Sequence, residues 1–385
     1  MSLLRRKIEE EIRELGPMPF SRYMEHCLYD SELGYYSRSA EQFGKAGDFY
    51  TSSDVHAVFG RLLARQWEEM WRSLGSPNQI AVIELGPGRG LFCQDVLGWS
   101  EKKFPDFFRA LRYVLVESSK TLRERIRQTL ARHLESGKVE IAEVYPHHDP
   151  SIRGAHTILF ANEFFDALPV EILSAKGSLR IDSRDGRFLE TWAQASPEEL
   201  IFIDRYSVHP EPGERAEINL AAQQCMDRVA ASIQHGFMIA IDYGYTRDEQ
   251  LAGRHRGTLK AIRQHSVSAN PYEAPGEQDI TAEVNFSALA AVAEKHEMQT
   301  HKLLTQSQFL MGVGEANQFA DAFEECRVPQ ERAKVALQLK HLVTPAGMGE
   351  SFHVLIGGKG VEQEIMESLS GLNFGRRQIG RCPGS

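Results

Sequence analysis

Apolar positions follow two kinds of pattern along this chain. The first is helical. Leu3, Leu4, Ile8, Ile12 and Leu15 recur at helical spacing and stop at Gly16-Pro17. A short helical stretch over residues 21–29 follows, then a loop rich in Gly, Ser and Tyr over 30–53. Asp54 is placed to cap a helix whose apolar face is Val55, Phe59, Leu62, Leu63, Trp67 and Met70. The second pattern is the short apolar run. Residues 80–83, 113–116, 139–144, 157–160 and 237–241 predict strands. Helical stretches over 91–97, 121–133 and 214–235 separate most of them. Runs that are apolar on both faces and alternate with helices predict a parallel sheet covered on both sides.

Between Ala167 and Pro212 the pattern changes. Short strands over 170–173, 178–181 and 188–192, with Asp185-Gly186 as a hairpin turn, predict a β-rich insertion. Residues 244–284 are rich in Gly, Pro and His with little periodicity, and read as a long functional loop. Asn285 caps a helix running to Glu297, and residues 300–304 and 352–356 read as an antiparallel strand pair with helices near 306–311 and 315–342 between them. The organisation expected is a helical cap and cofactor-covering loop over 1–78, an α/β core over 79–166 and 213–358, the β-rich insertion over 167–212, and a tail over 359–385.

Composition narrows the function. Apolar residues make up 42% and charged residues 25% of 385 residues, enough for a sizeable core. Fifty-three acids against forty-four Lys and Arg give a net charge of −9. With no basic stripe, this speaks against nucleic acid or an anionic membrane as partner. No apolar run approaches the roughly 18 residues of a spanning helix. Arg5, Arg6 and Lys7 lead directly into Glu9, Glu10 and Glu11, so neither a signal nor a transit peptide is expected at the N-terminus. Five scattered cysteines without a CxxC read as reduced thiols and give a cytoplasmic expectation.

Four of the five sheet runs end at acids: Glu84, Glu117, Glu163 and Asp242. Ligands in open α/β sheets bind outside the carboxyl ends of the strands, so these acids are expected to gather on one ligand-binding rim. Glu84-Leu85-Gly86-Pro87-Gly88-Arg89-Gly90 follows a strand and opens a helix. Gly86, Gly88 and Gly90 let the backbone turn tightly and approach a ligand at a helix N-terminus. A dinucleotide fingerprint would place a third glycine where Leu91 stands. The spacing therefore favours a nucleoside without a pyrophosphate, S-adenosylmethionine first among them, over a nicotinamide oxidoreductase. Glu117, 27 residues beyond Gly90, is placed to accept ribose hydroxyls.

The third signal is Asn162-Glu163-Phe164-Phe165-Asp166-Ala167-Leu168-Pro169-Val170. Methyl transfer needs an aligned acceptor with a free lone pair, and neither an enzyme nucleophile nor a metal. For a guanidinium acceptor, Glu163 and Asp166 would hold the fork and bias its charge. In the alternative, Asp166 or Asn162 only caps a helix. No metal site is expected: His147-His148-Asp149 lacks ligand spacing and reads as a surface loop.

With these motifs placed, the chain resembles the MidA-like class I methyltransferases, a family that includes a mitochondrial arginine methyltransferase assisting assembly of respiratory complex I. The resemblance runs from about Met18 to Lys359. It is carried by Gly34-Tyr35-Tyr36, Gly47-Asp48-Phe49-Tyr50-Thr51-Ser52, the Glu84 to Gly90 turn, the Asn162 to Val170 block, Ile241-Asp242-Tyr243-Gly244 and Asp279-Ile280-Thr281. Ser53-Asp54 departs from the Pro-Glu common in the family.

The resemblance implies a Rossmann-like seven-strand sheet with a helical N-terminal cap and insertions over the active site. It implies that Gly86, Gly88 and Gly90 line the methionine moiety, with Glu84 beside them, and that Glu117 takes the ribose. It implies that Thr51 and Ser52 add polar contacts, and that Asn162 and Glu163 face the transferred methyl. Residues 244–281 would form part of the acceptor pocket. A protein substrate follows, with a respiratory complex subunit in view. A methyltransferase-fold assembly chaperone and a small-molecule methyltransferase stay open as alternatives, as does the oligomeric state.

Overall fold

The computed structural model describes residues 2–38, 57–146, 155–254, 257–263, 266–268 and 270–374. The Gly47 to Ser52 block, Asp54 and the His147-His148-Asp149 cluster lie outside the described residues.

A two-residue strand, β1 (Met18–Pro19), precedes the central sheet. The apolar runs then form β2 (Ile80–Leu85), β3 (Leu111–Val116), β4 (Val139–Ala142) and β5 (His156–Asn162). The insertion holds β6 (Glu171–Ser174), β7 (Gly177–Arg184) and β8 (Arg187–Ala193), and β9 (Ala216–Ile218) follows beyond its expected bound at 212, where the helix expected over 214–235 instead starts at Leu220. After β10 (His235–Tyr245) come β11 (Lys260–Arg263), β12 (Ser266–Ser268), β13 (Asp279–Thr281) and β14 (Val284–Asn285). The last strands are β15 (Gln299–Thr300), β16 (Leu304–Thr305) and β17 (Phe352–Lys359).

The central sheet runs β15-β17-β10-β5-β2-β3-β4, with β14 on β10 and β16 on β17. From β4 to β10 the strands are parallel, and β17 is antiparallel to β10 from Gly236↔Lys359 to Tyr243↔Phe352. This is the Rossmann-like seven-strand order that the resemblance implies. Side chains alternate between two cores, as the pleat requires. Ile80 and Val82 face one, and Ile83 and Leu85 the other. The first core takes the Ala57–Ser73 and Leu91–Lys103 helices, where Trp67, Phe92 and Phe160 meet with ring centroids 4.6 to 5.6 Å apart. The second takes the Leu220–Ser232 and Phe286–Lys295 helices, the latter capped by Asn285 as its sequence suggests.

The insertion strands form their own sheet, β1-β7-β6-β9 with β8 on β7. The Leu3–Leu15 and Phe20–Tyr29 helices pack on it: Ile8, Phe20 and Met24 share a core with Val170, Leu179 and Ile181. Chain far from the central sheet in sequence is thereby carried to its ligand-binding edge.

Three expectations change. Among the described residues of the 244–284 segment, β11, β12 and β13 form an antiparallel sheet. Its strands are three or four residues long, too short to display alternation. The strand expected over 300–304 is split into β15 and β16, both antiparallel to β17. The helix expected over 315–342 is broken: Gln318 and Phe319 adopt left-handed φ of 57°, a four-residue helix (Ala320–Phe323) follows, and the longer helix starts at Pro329.

Candidate functional site

A cleft of about 870 Å³ opens at the carboxyl ends of β2, β3 and β5. One wall is the glycine turn. Gly86 and Gly88 line it, with left-handed φ of 62° and 55°. The Gly86 amide donates to Val116 O at 3.0 Å, which ties the turn to β3. A Cβ on Gly86 would lie 2.8 Å from Cδ2 of Phe164. The glycine turn and the block after β5 therefore pack directly on one another. Gly90 corrects an expectation: it is outside the lining, and its open side faces Leu130 and Ile126. Its role is to start the Leu91–Lys103 helix in a left-handed conformation.

Glu117 follows β3, lines the cleft and is 7% exposed. Its Oε1 accepts the Ser119 amide at 2.8 Å. Burial pushes its carboxyl up to about 7, against the pull of the Ser119 amide and Arg123. Glu84, also in the lining, is buried and accepts the Tyr113 hydroxyl at 2.7 Å; burial pushes it up to about 8.

Asn162, Glu163, Phe164 and Asp166 all reach the cleft. No helix follows Asn162, which removes the helix-capping alternative; the segment turns. Glu163 holds a left-handed φ of 50°, rare for a residue with a side chain. Its amide donates to Ile241 O at 2.9 Å, and Asn162 Nδ2 donates to its Oε1 at 3.1 Å. Asn162 Oδ1 is buried with no hydrogen-bond partner among the described residues. Asp166 is pushed up to about 7 by burial, opposed by the Ala167 and Asp166 backbone amides and by Lys260. Asp242 is a second correction. It is fully buried and outside the lining, turned toward the 164–166 backbone instead of the ligand rim.

The far wall comes from elements that periodicity left unconnected to the site. Tyr29 donates to Ala167 O at 2.9 Å, and Tyr36 to Asp279 Oδ1 at 3.1 Å. Their rings lie 5.6 Å apart, and Tyr29, Tyr36, Asp279 and Lys260 line the cleft. The signals available were the Gly34-Tyr35-Tyr36 and Asp279-Ile280-Thr281 blocks of the family resemblance, which also implied that residues 244–281 reach the acceptor pocket. Among the described residues no group of three or more His, Cys, Asp or Glu could hold a metal ion, and no helix is long and apolar enough to cross a membrane.

Residues 62–304 match the S-adenosyl-L-methionine-dependent methyltransferase family. The chain belongs to this family. Among known proteins, the methyltransferase is similar to the mitochondrial protein arginine methyltransferase NDUFAF7 homolog of Drosophila melanogaster, 28% identical over 93% of this chain and 85% of that one. The human mitochondrial protein arginine methyltransferase NDUFAF7 is 24% identical over 90% of this chain and 81% of its own length. A solved protein of Burkholderia thailandensis, bound to S-adenosyl-homocysteine, is 27% identical, covers 96% of this chain and 94% of that chain, and superposes with a TM-score of 0.81.

The cytoplasmic expectation does not stand, because the curated relatives are mitochondrial proteins by name. Its physical basis was weak. Cys27, Cys93, Cys225 and Cys326 are free thiols, and free thiols mark a reducing environment without naming the compartment.

The residues present fit S-adenosylmethionine, the family's methyl donor. Gly86 and Gly88 bring left-handed backbone to the cleft wall, and Glu117 offers a buried carboxylate at the end of the neighbouring strand.

Proposed function

We propose that this methyltransferase acts on the guanidinium of an arginine in a protein acceptor. The observation that carries the reading is the meeting of Glu163 and Asp166 in the cleft that the glycine turn lines. The relatives named as protein arginine methyltransferases support the same acceptor.

In this reading, Gly86, Gly88 and Glu117 hold the cofactor. When bound, the cofactor supplies an electrophilic methyl on a positively charged sulfur. Glu163 and Asp166 receive the guanidinium fork through charge-assisted hydrogen bonds. They orient one nitrogen so that its lone pair forms the new N–C bond as the C–S bond breaks. The bonding electrons return to sulfur and remove its charge. The nitrogen then gives up a proton, which the carboxylates accept. Asn162 holds Glu163 through its Nδ2 and offers Oδ1 to an acceptor N–H. The left-handed backbone at Glu163 fits this role, since strain of about 1–3 kcal/mol is kept where a side chain must be aimed.

The test is incubation with isotopically labelled methyl donor and cell extract, with a respiratory complex subunit as the first named acceptor, followed by mass spectrometry. Label on arginine supports the reading; label confined to small molecules sinks it. Glu163→Gln is expected to lower kcat by about 10²–10³-fold with S-adenosylhomocysteine affinity kept within about threefold. If that variant lost methylation while partner assembly in cells stayed intact, the chaperone alternative would gain ground as a separate role.

A further inference from the structure

We infer that Asp242 is a positioning residue: its carboxylate clamps the backbone of residues 164–166 and thereby aims Glu163 and Asp166 into the cleft. The parallel ladder between β10 and β5 ends at Ile241↔Asn162. One further backbone bond continues it, from the Glu163 amide to Ile241 O at 2.9 Å. There the chain turns left-handed and no strand remains to pair with. Asp242 takes over. Its Oδ2 accepts three consecutive amides, from Phe164 at 3.1 Å, Phe165 at 2.9 Å and Asp166 at 3.2 Å. Its Oδ1 accepts the Tyr243 amide at 2.9 Å. The side chain is 0% exposed and absent from the cleft lining.

Consecutive amides converging on one anion are a recurrent backbone nest. Here the acceptor belongs to the protein, so the nest fixes a loop instead of binding a ligand; burial and the neighbouring Asp166 and Glu163 push the Asp242 carboxyl well up, and the Asp166 and Phe165 amides pull the other way. Both oxygens are occupied as acceptors, and this sets the chemistry of substitution. Asparagine has the same shape, but its NH2 must face either Tyr243 N–H or the three loop amides, donor against donor. Alanine leaves all four amides in a buried site with no acceptor. The role in methyl transfer rests on the function proposed above; the clamp itself does not.

The experiment uses the full chain as wild type, Asp242→Asn and Asp242→Ala, with three readouts. Amide hydrogen exchange over residues 163–166 is expected to speed up at least about tenfold in both variants, while β2, β5 and β10 exchange as in wild type. S-adenosylhomocysteine affinity is expected to stay within about threefold, and kcat on an arginine acceptor to fall about 100-fold in the Asn variant and further in the Ala variant. Wild-type exchange rates in the loop of the Asn variant would overturn the clamp. Fast exchange with unchanged kcat would overturn its part in transfer. Should Asp242→Ala fail to fold, Asp242→Asn carries both decisions. If wild-type protein methylates no arginine, the proposed function falls, while the exchange rates still decide the clamp.

Discussion

In the proposed site Glu117 takes the cofactor ribose, so its protonation state would set ligand affinity. Burial holds its carboxyl at about 7, far above the ordinary carboxylate range. Ribose hydroxyls donate to the ionised form, so below that value a proton must leave before the ligand is held. Affinity for S-adenosylhomocysteine is therefore expected to rise as pH increases from about 6 to 7.5 and to level off above, changing by up to about tenfold per pH unit below 7. Glu117→Gln removes this titration and should flatten the profile. Glu84 and Asp166 titrate nearby, at about 8 and about 7, and the variant separates their contribution from that of Glu117. Calorimetry across this range checks the sign: affinity that falls with rising pH in wild type would contradict the ribose role.

At the scale of elements, the Lys120–Thr129 helix and the N-terminal segment share one residue. Ser119 Oγ accepts the Leu122 amide at 3.2 Å as the helix cap and donates to Tyr36 O at 2.7 Å. Ser119→Ala is expected to lower stability by about 1 kcal/mol, within the 0.5–2 range of lost N-caps, as measured by urea unfolding. No change in the midpoint would show that neither bond matters. The same elements show what the sequence displays and what it hides. β2, β3, β5 and β10 are apolar on both faces, so they were legible as a covered parallel sheet, and the acids and glycines at their ends located the cleft. Tyr36 and Asp279 both stand in blocks that carry the resemblance, but their pairing was hidden because they lie 243 positions apart. Asp242 was misread as a ligand-facing acid, since the Phe165 amide that uses it comes 77 residues earlier. Gly90 was misread because a glycine that starts a helix and one that opens a wall look alike in sequence.

Across the whole molecule, three separate layers converge on one cavity. The central sheet supplies the glycine turn and Glu117, the N-terminal helical segment supplies Tyr29 and Tyr36, and the small β11–β13 sheet supplies Lys260 and Asp279. The Ala282 amide donates to Asp166 O at 3.0 Å, which ties that last sheet to the acidic loop. An acidic chain with carboxylates in its cleft is suited to a cationic acceptor. The central claim is that the left-handed backbone of the glycine turn holds an adenosylated sulfur compound beside those carboxylates. Its most direct test is calorimetric titration of S-adenosylhomocysteine into wild type and Gly88→Val, with circular dichroism to confirm that both are folded. Gly88 has a left-handed φ of 55°, which a β-branched residue strongly disfavours. The account predicts saturable binding by wild type and affinity at least about tenfold weaker in the folded variant. Equal affinity in the two proteins, or none in wild type, would contradict it.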